Sequence, residues 1–126
     1  MLTDLPGTLT ELERSALSLL IDRPGELFTS VRAQLAHASV SDRESTGVGF
    51  FTNFIVPPDA PVSRNLPDSH ISGVYAEHPD VPCGVSFILF LRSGSVAWLE
   101  GVTFDGPWPS DDSLFQLYRD DHERNA

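Results

Sequence analysis

The sequence contains no lysine, so all eight of its basic residues are arginines. This absence excludes enzymes that form a Schiff base on lysine and nucleotide-binding proteins that depend on a P-loop lysine. Positive charge is scarce as a whole, because 18 acidic residues leave a formal net charge of −10 and no basic stretch occurs. Such a chain repels phosphate groups, so we expect neither nucleic acid nor an anionic membrane as a partner.

Cysteine is represented only by Cys83. One cysteine cannot form an internal disulfide bond or a multi-cysteine zinc site. The sequence also lacks an apolar run of about 18 residues, and its start lacks the basic and apolar segments of a signal peptide. We therefore expect a cytoplasmic protein that has no membrane partner.

Length and composition indicate one globular domain. The chain has 126 residues, of which 40% are hydrophobic, and this is enough for a single core. We assign residues 1–126 to one domain and expect flexible termini over residues 1–8 and 120–126.

The first third of the sequence predicts two helices. Thr10 and Glu13 have the spacing of a capping box, and apolar residues then recur at helical intervals, so we predict a helix over residues 9–22. Pro24 suits the first turn of a second helix, which ends near Ala38.

The hydrophobic period changes from 3.6 to 2 after Ala38, which is typical of β-strands. Strands are predicted at residues 39–45, 47–56, 70–78, 84–92, 95–104 and 114–119, and proline-rich loops at residues 57–68 and 105–113. Ser93-Gly94 predicts a two-residue hairpin turn. This order of elements predicts an α+β fold, in which an N-terminal helical pair packs on one face of an antiparallel five- to six-stranded sheet.

Both faces of this predicted sheet carry apolar residues. An unbroken hairpin register pairs Leu89 with Trp98 and Phe87 with Glu100, which puts one carboxylate on an otherwise apolar face. Two helices can cover only one face, so the other needs the loops, a second subunit or a ligand as its cover. We expect a homo-oligomer, in its simplest form a twofold dimer; cover by the loops and an apolar ligand groove are the alternatives.

Glu100 is the candidate catalytic or binding residue. A desolvated carboxyl group has a raised pKa, as a general acid or base does, unless a cation pairs with it. Strand position favours Arg43 as that cation. The structural alternatives are a buried Glu100–Arg43 ion pair and a strand twisted enough to expose the carboxylate. In the loop that follows, Trp108 is a candidate aromatic anchor for a binding partner.

The sequence predicts no metal site and no cofactor. Metal-ligand residue types cluster between His70 and Cys83, but only His78 and Cys83 can approach each other, and two ligands do not hold zinc. The glycine pair in Gly47-Val48-Gly49 runs into a strand, whereas phosphate-binding loops run into a helix.

Two segments carry a family resemblance. The stretch Arg43–Thr52 and the stretch Trp98–Phe104, followed by Pro107-Trp108-Pro109, resemble a family of small uncharacterised bacterial proteins with no assigned function. The resemblance covers most of the chain and implies no activity. In size, acidity and helix-then-sheet order the chain is also similar to the immunity proteins that neutralise bacterial toxins.

These observations favour a non-enzymatic binding protein. Its acidic surface would attract a protein partner with a basic surface, for which an immunity-like role is one example. The alternative is a small-ligand-binding or hydrolytic domain with Glu100 in an apolar pocket. The two hypotheses differ in whether Glu100 points into a cavity.

Overall fold

The structure of the protein is a computed structural model, which describes residues 8–120. Helix α1 spans Glu11–Ile21 and helix α2 spans Glu26–His37. The predicted capping box is confirmed, because Glu13 N donates to Thr10 Oγ1 over 3.1 Å and Thr10 N donates to Glu13 Oε1 over 2.8 Å. Pro24 precedes α2, which begins after Gly25, so its predicted place in the first helical turn is wrong. The terminal segments expected to be flexible fall almost wholly outside the described residues.

Two arginines from other elements hold the carboxyl end of α1. Arg32 Nη1 donates to the carbonyl oxygens of Ile21 at 2.6 Å and Arg23 at 3.0 Å. Arg119 Nη1 donates to the carbonyl oxygens of Leu19 and Asp22 over 3.2 and 3.0 Å. These donors satisfy carbonyl groups that the end of a helix leaves without partners, and they tie α1 to α2 and to the last strand.

Within residues 8–120, six antiparallel strands form one sheet in the order β1-β2-β5-β4-β3-β6. The strands are β1 (Ser39–Ser45), β2 (Gly49–Ile55), β3 (Ser69–His78), β4 (Val81–Arg92), β5 (Ser95–Thr103) and β6 (Gln116–Arg119). A short 3-10 helix at Asp112–Leu114 precedes β6. The predicted α+β fold is confirmed: two helices pack against a six-stranded antiparallel sheet.

The β4–β5 hairpin turns at Ser93 and Gly94, as predicted. Both residues have positive φ angles, 56° and 80°, which a type I′ turn requires. The predicted register beyond the turn is wrong, because Ala97 is an extra residue in β5 and forms a bulge. Glu100 therefore lies opposite Ile88 instead of Phe87, and Trp98 lies opposite Phe90 instead of Leu89. Both side chains move to the other face of the sheet.

The core lies between the helices and one face of the sheet. Leu17 and Leu20 of α1 and Leu35 of α2 are fully buried, as are Phe87 and Leu89 of β4. Residues of both proline-rich loops also pack on this side. Leu66 is buried in the same core, and Trp108 packs against it. The loops therefore add to the helix-covered core.

No helix within residues 8–120 is long and apolar enough to cross a membrane.

Candidate protein-binding face

The sheet face opposite the helices, here called the outer face, is the candidate functional surface. Side chains alternate between the two faces along β2, β4 and β5, and every second one points away from the core. Beyond the bulge at Ala97, this alternation puts Trp98 and Glu100 on the outer face. Most of its central apolar side chains are half-buried, whereas Ile55 and Phe104 nearer its rim are 55% and 59% exposed. Its central residues are Phe51, Asn53, Tyr75, Ile88, Phe90, Trp98, Glu100 and Val102.

Aromatic rings form two clusters on this face. Phe90 and Trp98 stack with ring centroids 4.8 Å apart, and the Arg92 guanidinium lies 5.3 and 5.4 Å from their centroids. At the other end of the face, Tyr75 lies 6.2 Å from the Phe104 ring and 5.9 Å from the Tyr118 ring. Exposed aromatic area of this kind is enriched at protein interfaces.

Glu100 lies near the centre of the outer face. Partial burial among apolar neighbours raises the pKa of its carboxyl group. No cation or hydrogen-bond donor within residues 8–120 contacts this carboxylate. Glu100 is therefore not enclosed in the core; it lies half-buried on the sheet face that neither helix of residues 8–120 covers.

The predicted Glu100–Arg43 pair is wrong. Arg43 lies on the helix side of β1 and binds Glu13 of α1, with Arg43 Nε and Nη2 each 2.7 Å from a different carboxylate oxygen. Thr52 Oγ1 donates to the same carboxylate over 2.5 Å. Burial alone would raise the pKa of Glu13, but these hydrogen bonds outweigh it and hold the pKa below its ordinary value.

A sequence signal for this pair exists. Glu13 is spaced three or four residues from Leu9, Ala16 and Leu17, so it lies within the apolar stripe of α1. A carboxylate in that position needs a buried partner, because an unpaired buried charge costs several kcal/mol. The extra residue Ser41, at the bulge in β1, then turns Arg43 towards it.

Two more carboxylates lie beside Phe51 at the edge of the outer face. Asp42 and Glu44 of β1 both accept hydrogen bonds from Asn53 Nδ2, over 3.1 and 3.2 Å. Neither carboxylate has an ion pair within residues 8–120. With Glu100, they make the half of the outer face formed by β1, β2 and β5 acidic.

Trp108 lies on the helix side of the sheet and not on the outer face. Its ring is half-buried on the helix side and packs 5.3 Å from the Phe50 ring and 5.1 Å from the Phe115 ring. The structure corrects the expectation that this ring is an exposed anchor. Trp98, which the predicted register paired with Leu89, lies opposite Phe90 and is the tryptophan of the outer face.

The residues considered as metal ligands do not converge. His78 is buried, and both ring nitrogens contact backbone groups: Nδ1 accepts from Asp80 N over 3.0 Å, and Nε2 lies 2.7 Å from the Asp111 carbonyl oxygen. Cys83 is exposed. Within residues 8–120, no three histidine, cysteine, aspartate or glutamate residues cluster as metal ligands would.

Two pockets lie on the helix side and not at Glu100. One of about 410 Å³ lies between α1 and the 3-10 helix, and its lining includes Ser15 and Asp112. The other, of about 200 Å³, lies beside Arg43 and Trp108.

No protein-family model, no curated protein and no solved structure matches the chain. The resemblances stated from its sequence therefore stay predictions.

Proposed function

We propose that the protein is a non-enzymatic binding protein whose outer face docks the basic surface of a protein partner. The observation that carries this proposal is a sheet face that no helix of residues 8–120 covers. This face combines half-buried aromatic residues with Asp42, Glu44 and Glu100, whose carboxylates form no ion pair within the described residues. Uncovered apolar surface of this kind is typical of interaction sites, and the negative charge selects a positive partner.

The size of the face supports a partner of protein dimensions. Six strands at about 4.8 Å spacing and about six residues along each strand give a face of roughly 24 by 20 Å, or roughly 500 Å² in projection. A stable interface needs about 800 Å² of accessible surface on each partner. The partner must therefore cover the whole face, including the edge strand β1 with Asp42 and Glu44.

An immunity-like role is one form of this proposed function. A basic bacterial toxin is one partner of the proposed chemistry, and the likeness to immunity proteins in size and acidity adds to that reading. Such a role is compatible with the cytoplasmic location expected from its single cysteine. The alternative of a hydrolytic or small-ligand site is less well supported, because neither of the two pockets described above includes Glu100 in its lining.

A homo-oligomer would use the same face. A twofold contact would bury the aromatic clusters but would bring the carboxylates of both copies together. We therefore expect self-association to be weak at low ionic strength and to strengthen as salt screens the carboxylates. Sedimentation at micromolar concentration in 50 mM and 500 mM salt measures this, and a stable dimer at low salt would favour a second copy as the natural occupant.

The proposal is tested by comparing one substitution on each side of the sheet. Ile88→Arg puts a positive charge next to Glu100 at the centre of the outer face, whereas Ala33→Arg puts the same charge on the exposed side of α2. The original protein is used to recover bound protein from the native cell, and the affinity of that partner for the original protein and for each variant is then measured. Ile88→Arg should weaken binding by about 30-fold or more, the effect of disrupting an interface hot spot.

The control decides the outcome. Ala33→Arg should leave the affinity unchanged, and the recovered partner should dissociate at high salt. A partner that binds Ile88→Arg as well as the original protein, or that loses affinity equally with both variants, contradicts a role for the outer face.

A further inference from the structure

We infer that the Glu44–Phe51–Glu100 row of the outer face binds an arginine side chain of the partner, with the guanidinium group over the Phe51 ring and between the two carboxylates. This inference rests on the proposed function and names the chemistry of its central contact. The occupant is an arginine-bearing segment of a protein.

The register of three strands sets the row. Glu44 of β1 lies opposite Phe51 of β2, and Phe51 lies opposite Glu100 of β5. Opposed residues have Cβ atoms about 5 Å apart, so the Cβ atoms of the two glutamates are about 10 Å apart with Phe51 between them. A guanidinium that donates a hydrogen bond on each side joins oxygens roughly 8 Å apart. Both carboxylates can therefore reach one guanidinium group.

The charges in this row have no counterpart within the described chain. Neither glutamate forms an ion pair within residues 8–120, and Glu44 accepts only a long hydrogen bond, of 3.2 Å, from the neutral Asn53 side chain. Phe51 is half-buried, and no other aromatic ring or cation from residues 8–120 packs on its ring. The row thus presents two negative groups and an aromatic ring to whatever approaches the face.

The outer face itself contains an example of this type of contact. The Arg92 guanidinium lies 5.3 Å from the Phe90 ring centroid and 5.4 Å from that of Trp98. These distances are within the range of a cation–π interaction. In the next row, Phe51 has two flanking carboxylates and no such arginine of its own, so an arginine from the partner complements it.

Arginine fits this row better than lysine does. A guanidinium is planar, stacks on an aromatic ring and carries donors on opposite edges, so it can bind Glu44 and Glu100 at the same time. An ammonium group is a compact point charge, which can approach one carboxylate closely but cannot span both. The row therefore predicts a preference for arginine over lysine at equal charge.

The experiment titrates isotopically labelled protein with three synthetic peptides, (Gly-Arg)₃, (Gly-Lys)₃ and (Gly-citrulline)₃, and follows the backbone amides of β2 and β5 by NMR. Citrulline has the shape of arginine without the charge. We expect (Gly-Arg)₃ to shift the amide signals around Phe51 and Glu100. (Gly-Lys)₃ should bind with an affinity at least about threefold lower, and (Gly-citrulline)₃ should not bind.

Three substitutions and one matched control test the row itself. Glu44→Gln, Glu100→Gln and Phe51→Leu should each weaken (Gly-Arg)₃ binding by about threefold to tenfold, the effect of losing one exposed charge or ring contact. Glu77→Gln removes the same charge from an exposed position on β3, where it pairs with β6, and should change the affinity by less than about 1.5-fold. Unchanged amide spectra outside the row confirm that each variant is folded.

Two results overturn the inference. The first is the absence of (Gly-Arg)₃ binding. The second is equal affinity for the arginine and lysine peptides, together with equal losses of affinity in all four variants. That result would mean that the peptides bind through the overall negative charge of the protein and not through the row. These results are separate from the proposed function, because the partner affinity of Ile88→Arg is measured independently. If Ile88→Arg disrupts the partner complex while Glu44→Gln, Glu100→Gln and Phe51→Leu do not, the docking face stands and the arginine contact fails.

Discussion

Replacing Glu13 by Gln should destabilise the protein more than any other loss of a single charge on α1. The carboxylate is 3% exposed and accepts four hydrogen bonds, two from Arg43, one from Thr52 and one from the Thr10 backbone. Each carboxylate oxygen receives two donors. A glutamine amide can supply an acceptor at only one end, so its NH₂ group must face donors at the other end.

The expected magnitude follows from the geometry of the pair. Removing one partner of a buried ion pair costs about 3–5 kcal/mol. The Arg43 side chain is 41% exposed and can be hydrated when the carboxylate is lost, which puts Glu13→Gln at about 2–3 kcal/mol. Because glutamine is also tolerated in a capping box, the start of α1 should be kept.

The assay is chemical denaturation of four proteins: the original chain, Glu13→Gln, Arg43→Met and the double variant. A double-mutant cycle then isolates the coupling, which should be about 1–3 kcal/mol for groups in direct contact. Glu11→Gln is the matched control, because Glu11 lies in the same helical turn but is exposed; it should cost less than about 1 kcal/mol.

The pH dependence gives a second measurement. Because the pKa of Glu13 is lowered from its ordinary value of 4.5, its contribution to stability is complete above pH 4.5 and is lost as the pH falls through the lowered pKa. The difference between the original chain and Glu13→Gln should therefore shrink on acidification. If Glu13→Gln costs no more than Glu11→Gln at neutral pH, the Glu13–Arg43 pair does not stabilise the protein.

The buried Gln34, the half-buried Glu100 and two glycines of the sheet can each be tested by a single substitution. Gln34→Leu should lower the free energy of unfolding by about 3 kcal/mol in denaturant titrations. The fully buried Gln34 side chain makes four hydrogen bonds, three of them to backbone groups, which leucine would leave without partners. A loss below about 1 kcal/mol would contradict this expectation. Glu100→Gln should raise the free energy of unfolding at pH 7 but not at pH 3.5. Because the pKa of Glu100 is raised in the folded protein, its ionised form destabilises the fold as the pH rises through that pKa. Equal effects at both pH values would argue against desolvation of Glu100. Gly49→Ala should lower Tm more than Gly101→Ala. A Cβ at position 49 would clash with the backbone oxygen of Gly101, whereas a Cβ at position 101 would clash with the Phe50 ring, which can move. The reverse order of Tm values would contradict this packing.

Local signals in the sequence were enough to predict the elements of the fold. The capping box at Thr10 and Glu13 starts α1, and positive φ angles at Ser93 and Gly94 make the predicted turn. Both features depend on neighbouring residues alone, so they can be recognised without knowledge of the tertiary structure.

The candidate site could not be predicted in the same way, because it depends on register. Val96-Ala97 contains no glycine or proline that would indicate a bulge, yet the bulge there decides which face Trp98 and Glu100 occupy. The partner of Arg43 was missed for a related reason. Strand position favoured Glu100, whereas the contact that forms joins a helix to the sheet across 30 positions of sequence.

The bulge at Ala97 also decides which of the later residues of β5 face the core and which face outward. With this residue in place, Leu99, Gly101 and Thr103 point into the core, and the small Gly101 leaves room for the Phe50 ring. Deleting Ala97 would invert every later position of β5, so that Glu100 would enter the core and Leu99 would face solvent. A single alanine with no chemistry of its own thus keeps the acidic and aromatic groups of this strand on the surface where another molecule can meet them.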